Sequence, residues 1–273
     1  MPVKTKIRYQ LFSSRKKRYV TADVLKFTLV IALLSWLTFR GTEKLGYNWQ
    51  WFQIPGYLFS SSEDQFIAGP LLKGLLTTIH ISLISLILAL FAGLVTAVLR
   101  LSKSFSGKII ALIYLETIRN TPLLVQLFFI YFVISPILNI SPFISAVIAL
   151  SLFEGAYISE IFRAGILSID KGQWEAAYSL GLGTFNTYRK IILPQVIKRV
   201  LPPLTNQAIS LIKDSALVST VAIYDLTMQG MVIISETYLT FEIWFTVALI
   251  YLILTAMLSL LANRMEKHLS FET

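Results

Sequence analysis

Long apolar runs constrain this chain of 273 residues more than any other feature of its sequence. Only 14% of its residues are charged, against about 25% in soluble domains. Most of the runs are close to the ~20 residues that cross the hydrocarbon core of a bilayer. We therefore predict six membrane spans, at 24–39, 75–99, 109–134, 143–162, 201–222 and 243–262.

The distribution of Lys and Arg predicts how these spans are oriented. With the N-terminus in the cytoplasm, 19 of the 24 basic residues lie on the cytoplasmic side, two lie within spans and only Arg40, Lys44 and Lys73 lie outside. Basic residues concentrate in cytoplasmic loops of membrane proteins. We predict an all-α, polytopic membrane helix bundle of six transmembrane helices with both termini cytoplasmic.

Composition argues against several kinds of chemistry. The chain has no cysteine, two distant histidines and no glycine-rich phosphate loop of the GxxxxGK[ST] type. No catalytic residue, metal site or cofactor site is therefore expected, and any ATP must be bound by a partner. The net charge of +9 does not indicate nucleic-acid binding, because the basic run at 15–18 precedes a span, where it favours contact with anionic lipid headgroups.

A polar segment, "DKGQWEAAYSLGLG" at 170–183, interrupts the apolar pattern in the longest cytoplasmic loop. Asp170 followed three residues later by Gln173 resembles a capping box and predicts a helix start. Gly181 suits the position after a helix end, where φ is positive. A second short helix is predicted to start at Thr184 and to end before Pro194.

One face of the first predicted helix combines aromatic and small side chains, spaced three and four residues apart. Such a face suits docking into a groove of another protein. Packing against the chain's own helices explains it equally well, and the spacing alone leaves both alternatives open. The face consists of Trp174, Ala177, Tyr178 and Gly181.

The same segment resembles the EAA loop of permeases of ABC importers. Glu175-Ala-Ala is followed by Gly181, by Ile191 and by Leu193-Pro194 at the family spacing. The stretches 119–132, 156–177 and 211–219 resemble the polar amino acid uptake branch, so that the likeness covers about residues 70–265. Asn120 and Glu154 depart from the usual pattern, since relatives have Gly and small polar residues there.

The resemblance implies a transport subunit in a bacterial-type plasma (inner) membrane, and not an enzyme. Its partners would be a cytoplasmic ABC ATPase dimer that binds ATP and Mg, a second permease chain and an extracytoplasmic amino-acid-binding protein. Residues 66–273 would form the transmembrane domain with a coupling loop at 163–199, preceded by a tail, extra span and external loop at 1–65. Residues 170–185 would form the coupling helix. The residues expected to couple to the ATPase are Trp174, Glu175, Ala176, Ala177, Leu180, Gly181, Ile191, Leu193 and Pro194.

Ionisable side chains inside spans are costly and are candidates for the substrate path. Glu154 has no basic residue within one helical turn, so either it pairs with Lys213 or it binds the ammonium or cationic side chain of a substrate. Glu160 with Arg163, and Glu116 with Arg119, have the spacing of simple ion pairs. The path candidates are Arg119, Gln126, Glu154, Tyr157, Asn206, Ser210, Lys213 and Asp214.

Import of polar amino acids is the function that these features favour. A permease for another small solute, such as methionine or a compatible solute, is the alternative within the same class. A secondary transporter or channel is the alternative from another class, although inverted repeats typical of transporters are not evident. The sequence does not specify which amino acid is carried, or whether the permease pair has identical chains.

Overall fold

The computed structural model describes residues 23–37, 40–41, 46–62 and 65–270, without the side chains of 60–62, 65–66 and 265–270. The chain divides into two compact units, Met1–Gln50 and Trp51–Thr273. In the first unit, helix α1 spans residues 23–37. The basic run at 15–18 and the last two residues of the first predicted span lie outside the described residues.

The second unit is built almost entirely of helices. Its α-helices are α2 (Ile54–Leu58), α3 (Pro70–Leu101), α4 (Phe105–Arg119), α5 (Leu123–Phe129), α6 (Ser135–Leu138), α7 (Pro142–Leu167), α8 (Lys171–Ser179), α9 (Thr184–Thr187), α10 (Leu193–Asp214), α11 (Leu226–Thr237) and α12 (Thr240–Ser270). Shorter 3-10 helices cover Trp51–Gln53 and Ser215–Val221. One antiparallel hairpin, which the all-α prediction missed, pairs β1 (Phe59–Ser62) with β2 (Gln65–Ala68).

Several of these helices can cross a bilayer. Among the described residues, α3, α7 and α12 are each long and apolar enough, and two bent pairs of helical segments raise the number to as many as five. One bent pair joins α4 to the segment Leu123–Leu138, and the other joins Thr184–Val221 to α11. The structure thus agrees with a helical membrane bundle, while the sixth span and the cytoplasmic termini remain predictions.

Small residues bring α3 and α7 together at the centre of the unit. A Cβ atom added to Gly93 of α3 would lie 2.6 Å from Ile158 Cγ2, and one added to Gly155 of α7 would lie 3.1 Å from the Ala92 methyl group. Helices in a membrane associate through such close packing, because lipid tails are as apolar as the side chains. The α3–α7 contact therefore positions the remaining helices.

The chain bends by 106° between α4 and the segment Leu123–Leu138. Pro122 has no N–H, so the carbonyl of Ile118 loses the donor that a continuous helix would supply. The side chain of Gln126 replaces it, since Nε2 donates to the carbonyls of Ile118 (2.7 Å) and Thr121 (3.0 Å). The predicted kink at Pro122 is confirmed, and one span over 109–134 stays a prediction, because the bent pair counts as one span only if its two halves cross the membrane together.

Two π-helical turns, Ile130–Ile134 and Tyr188–Ile192, each end two residues before a proline. In both, the residue before the proline donates five positions back, from Ser135 to Ile130 and from Leu193 to Tyr188. The wider turn changes which carbonyl faces the proline ring, whose clash would otherwise break the helix. The helix that begins at Thr184 as predicted therefore continues past Pro194 into α10, and the prediction that it ends there is wrong.

We expect that Gln126→Met lowers the free energy of unfolding by about 1–3 kcal/mol, because methionine fills a similar volume but leaves the freed carbonyls unsatisfied. Thermal unfolding of the purified chain in detergent micelles measures this. Gln173→Met is the matched control, since Gln173 is exposed and should tolerate the same change. Equal melting temperatures for the two variants would show that Gln126 does not stabilise the bend.

Candidate functional site

Helix α8 begins and ends as its sequence predicts. The Asp170 side chain accepts a hydrogen bond from the N–H of Gly172 (2.6 Å), and Gly181 has a φ of +74°. The N–H of Gly181 donates to Tyr178 and that of Leu182 donates to Ala177, which is a Schellman motif. Gln173 accepts from Gln195 (3.3 Å), and no reciprocal capping-box bond of Gln173 occurs among the described residues.

The inner face of α8 packs against its own chain. Ala177 is fully buried, and the ring of Trp174 meets the ring of Tyr188 edge-on with centroids 5.0 Å apart. Trp174 also contacts a buried apolar cluster that includes Ile192 and Val196. These two members of the predicted coupling set therefore hold α8 against its own chain.

The outer face of α8 and the turn after it are open. Glu175, Ala176 and Gly181 are exposed there. Leu180 is 78% exposed and Phe185, at the start of α9, is 74% exposed. The packing and docking alternatives thus apply to opposite faces of one helix. Phe185 was not among the predicted coupling residues, although an apolar ring one residue after the predicted helix start at Thr184 was a usable signal.

The rest of the predicted motif lies on the turn that leads into α10. Ile191 is half-buried, whereas Leu193 and Pro194 are exposed. The intervening Ile192 is fully buried. These residues fix the start of α10 next to α8, and Leu193 and Pro194 extend the exposed surface.

Glu154 is fully buried on α7 and faces α10. Gln207 Nε2 donates a hydrogen bond to Glu154 Oε2, and the carboxyl group of Asp214 lies beside it. Gln207 and Asp214 are seven residues apart and share a face of α10, which turns Lys213 about 100° away. Among the described residues, Glu154 and Lys213 form no ion pair, so that alternative is wrong. Gln207 was missed, although its spacing from Asp214 was a signal.

A second face of α10, within the predicted span at 201–222, also carries polar side chains. Asn206 and Lys213 are exposed and Ser210 is half-buried, at the i, i+4, i+7 spacing of one helical stripe. A charged side chain at the bilayer centre costs about 2.5–3.5 kcal/mol on insertion scales. This stripe therefore requires water or a protein partner instead of lipid.

Arg119 and Gln126 do not come together as path residues. Arg119 lies 3.5 Å from Glu160 Oε1 and 5.8 Å from the ring centroid of Tyr157, whereas Gln126 is buried at the bend. The predicted Glu160–Arg163 pair is confirmed at 2.9 Å.

The predicted pair between Glu116 and Arg119 is wrong. Glu116 Oε2 accepts from Asn120 Nδ2 at 2.8 Å instead. Asn120 is a residue that departs from the family pattern in the sequence, and its side-chain amide makes this bond. Arg119 is left to turn toward the carboxylate of Glu160.

Comparison with known proteins shows which family the chain belongs to. A family described as the inner membrane component of binding-protein-dependent transport systems matches residues 86–271. The chain belongs to this family. The permease is 41% identical over 202 residues to the glutamine transport system permease protein GlnP of Escherichia coli (strain K12), covering 73% of this chain and 92% of that protein.

Further relatives agree with this assignment. The L-cystine transport system permease protein TcyB of Bacillus subtilis (strain 168) is 41% identical over 219 residues, covering 79% of the permease and 92% of TcyB. The permease is also similar to a chain in a crystal structure of an amino acid ABC transporter with histidines. The two sequences are 38% identical, and the folds superpose with a TM-score of 0.69 over 73% of the permease and 94% of that chain. The MetNI methionine transporter, at 19% identity and a TM-score of 0.62 over 73% and 95%, shares the fold. The permease is a transport subunit of an ABC importer.

The two faces of α8 should respond differently to truncation. We expect that Trp174→Ala lowers the free energy of unfolding by roughly 2–3 kcal/mol, because it removes a half-buried ring from the cluster beneath α8. Leu180→Ala should leave it unchanged, since that side chain contacts solvent. Thermal unfolding of the purified permease distinguishes them, and an equal loss in both variants would contradict the two-faced arrangement.

Proposed function

We propose that the permease imports polar amino acids that an extracytoplasmic binding protein delivers, across a bacterial-type inner membrane. Two relatives of 41% identity are named for transport of glutamine and L-cystine, and a related solved transporter is an amino acid ABC transporter. The likeness to the methionine transporter concerns the fold alone, so methionine, the second candidate substrate, gains no support from it. A channel or secondary transporter gains no support.

In this proposal, residues 170–185 couple the permease to a cytoplasmic ATPase dimer that binds ATP and Mg. The outer surface formed by Glu175, Ala176, Leu180 and Gly181 supports this, because it is exposed while the inner face is packed. Only residues 168–170 separate α8 from α7, which carries Glu154. A shift of α8 on ATP binding would reach α7 directly and favour one of two conformations of the bundle.

The buried carboxylate of Glu154, which faces Gln207 and Asp214 on α10, is the observation on which the proposed substrate rests. A carboxylate in an apolar interior requires a partner, and Gln207 supplies one neutral hydrogen bond. In our proposal the ammonium group or cationic side chain of the substrate supplies the remaining charge. Lys213, exposed one position before Asp214, is the candidate for the substrate carboxylate.

The polar stripe also supports a pair of permease chains. Asn206 and Lys213 are exposed in the single chain, at a depth where lipid is an unfavourable neighbour. A second permease chain would enclose them in an aqueous path. This arrangement, with six spans and cytoplasmic termini, agrees with the distribution of basic residues in the loops.

Gly181→Val should uncouple ATP hydrolysis from uptake while leaving the permease inserted. A valine at φ +74° is strained, so the turn after α8 must change shape. The measurement compares ATPase stimulation with uptake of a radiolabelled amino acid in proteoliposomes that contain the whole importer. Gly183→Val is the matched control, because Gly183 has φ −68° and a Cβ there meets nothing within 4 Å. Normal uptake by Gly181→Val would refute the assignment.

Glu154→Gln should weaken uptake of polar amino acids by about 10–100-fold in apparent affinity, because a charge-assisted hydrogen bond is worth about 1.5–3 kcal/mol. Uptake of radiolabelled glutamine, arginine and histidine is measured in competition with methionine and with a compatible solute. Cells must express the permease with its ATPase and binding protein.

Glu236→Gln serves as the control, since Glu236 is exposed at the end of α11 and makes the same change of charge. An unchanged affinity and substrate range in Glu154→Gln would contradict the substrate role of Glu154. Competition by methionine alone would overturn the proposed substrate class and favour the second candidate.

A further inference from the structure

Three arginines from three helices converge on one carboxylate, and neither the proposed substrate site nor the coupling surface uses this cluster. Arg163 Nε and Nη2 donate to Glu160 Oε2 at 3.0 and 2.9 Å, within α7. Arg100, near the end of α3, pairs with Glu160 Oε1. Arg119, at the end of α4, lies 3.5 Å from the same oxygen. We call these four residues the arginine cluster.

The arginine cluster carries excess positive charge. Three guanidinium groups and one carboxylate give a net charge of +2, and Glu116 on α4 lowers the local value only to +1. Guanidinium groups stay protonated in proteins, so the excess cannot be removed by loss of a proton. The side chains of Arg100 and Arg163 are only 25% and 31% exposed, so water screens this charge incompletely.

Arg119 is the member with free donor capacity. Its side chain is 44% exposed, and of the three arginines it lies farthest from the carboxylate of Glu160. A guanidinium group has five N–H donors, so several of them remain for a ligand. The guanidinium carbon lies 5.8 Å from the ring centroid of Tyr157, an arrangement that favours the cation and restricts its orientation. The N–H edges of Arg119 are therefore oriented to donate to two oxygens of an oxyanion.

The position of the arginine cluster in the bundle is consistent with such a ligand. Arg100 is the second-last residue of α3, whose 32 residues span about 48 Å at 1.5 Å per residue. This length exceeds the ~30 Å hydrocarbon core, so the end of α3 lies at headgroup depth. Glu160 and Arg163 lie on the last turns of α7, which leads into the coupling loop.

We propose that the arginine cluster is a binding site for an oxyanion, either a carboxylate or a phosphate, with Arg119 as its main ligand. The carboxylate would be that of an amino acid near the cytoplasmic end of its path, which is the source that rests on the proposed function. The phosphate would be that of a lipid headgroup. In both cases a two-pronged hydrogen bond from Arg119 completes the neutralisation of the cluster.

Thermal unfolding of the full permease in detergent tests the site with simple probes. Acetate and inorganic phosphate, compared with chloride at equal ionic strength, should raise the melting temperature of the unaltered chain by about 2–4 °C. Lys108→Gln is the matched control, because it removes one exposed positive charge from α4 outside the arginine cluster and should keep the shift.

Arg119→Gln should abolish the shift, and Arg119→Lys should retain only part of it, because lysine keeps the charge without the fork of donors. No shift in the unaltered chain, or the same shift in Arg119→Gln, would overturn the proposal. Uptake plays no part in this measurement, so its outcome is independent of whether polar amino acids are the substrate.

Two further arms separate the sources of the oxyanion. In nanodiscs, replacing part of the phosphatidylcholine by phosphatidylglycerol should stabilise the permease, but not Arg119→Gln, if the ligand is a lipid phosphate. Free arginine should stabilise it more than arginine amide, again through Arg119, if the ligand is a substrate carboxylate. A permease that responds to neither source in an Arg119-dependent way would contradict a physiological oxyanion site.

Discussion

A bilayer core contains no water to satisfy backbone hydrogen bonds, and the rest of this structure depends on how the chain meets that constraint. The constraint is most severe at prolines, because each proline lacks the backbone N–H that would donate to the carbonyl four residues earlier. At Pro122 the side chain of Gln126 replaces the missing donor, and at Pro136 and Pro194 a π-helical turn shifts the bonds by one position. At these three prolines the chain therefore bends or continues as a helix, and two more prolines, Pro202 and Pro203, lie inside α10.

The bend has a consequence for charge as well as for shape. By ending α4 at Arg119, it places a guanidinium group beside Glu160 of α7 and above the ring of Tyr157. In a straight span, Arg119 would lie in the middle of a continuous helix and not at a helix end. The same device that satisfies the backbone thus brings together the helix ends that form the arginine cluster.

The two faces of α8 differ in burial, because one is packed on its own chain and the other is exposed, and this difference makes a rigid connection possible. Trp174 and Ala177 hold α8 against the turn that leads into α10, while Leu180 stays in solvent. A helix bound only to a partner would move without moving the bundle. Because α8 is packed on its own chain and only residues 168–170 separate it from α7, the proposed docking of an ATPase would pass a displacement of α8 to the helix that carries Glu154.

Features that depend on neighbours along the chain follow from the amino-acid sequence alone. The apolar runs, the cap at Asp170, the positive φ of Gly181, the start of α9 at Thr184 and the Glu160–Arg163 pair are all local, and all were predicted. The tertiary structure decided the features that depend on contacts between helices. The 106° bend requires Gln126, the partner of Glu154 is Gln207 because α10 turns that face to α7, and Arg100 reaches Glu160 from 60 residues away. A helical period fixes which residues share a face, but only packing of small residues such as Gly93 and Gly155 fixes which faces meet.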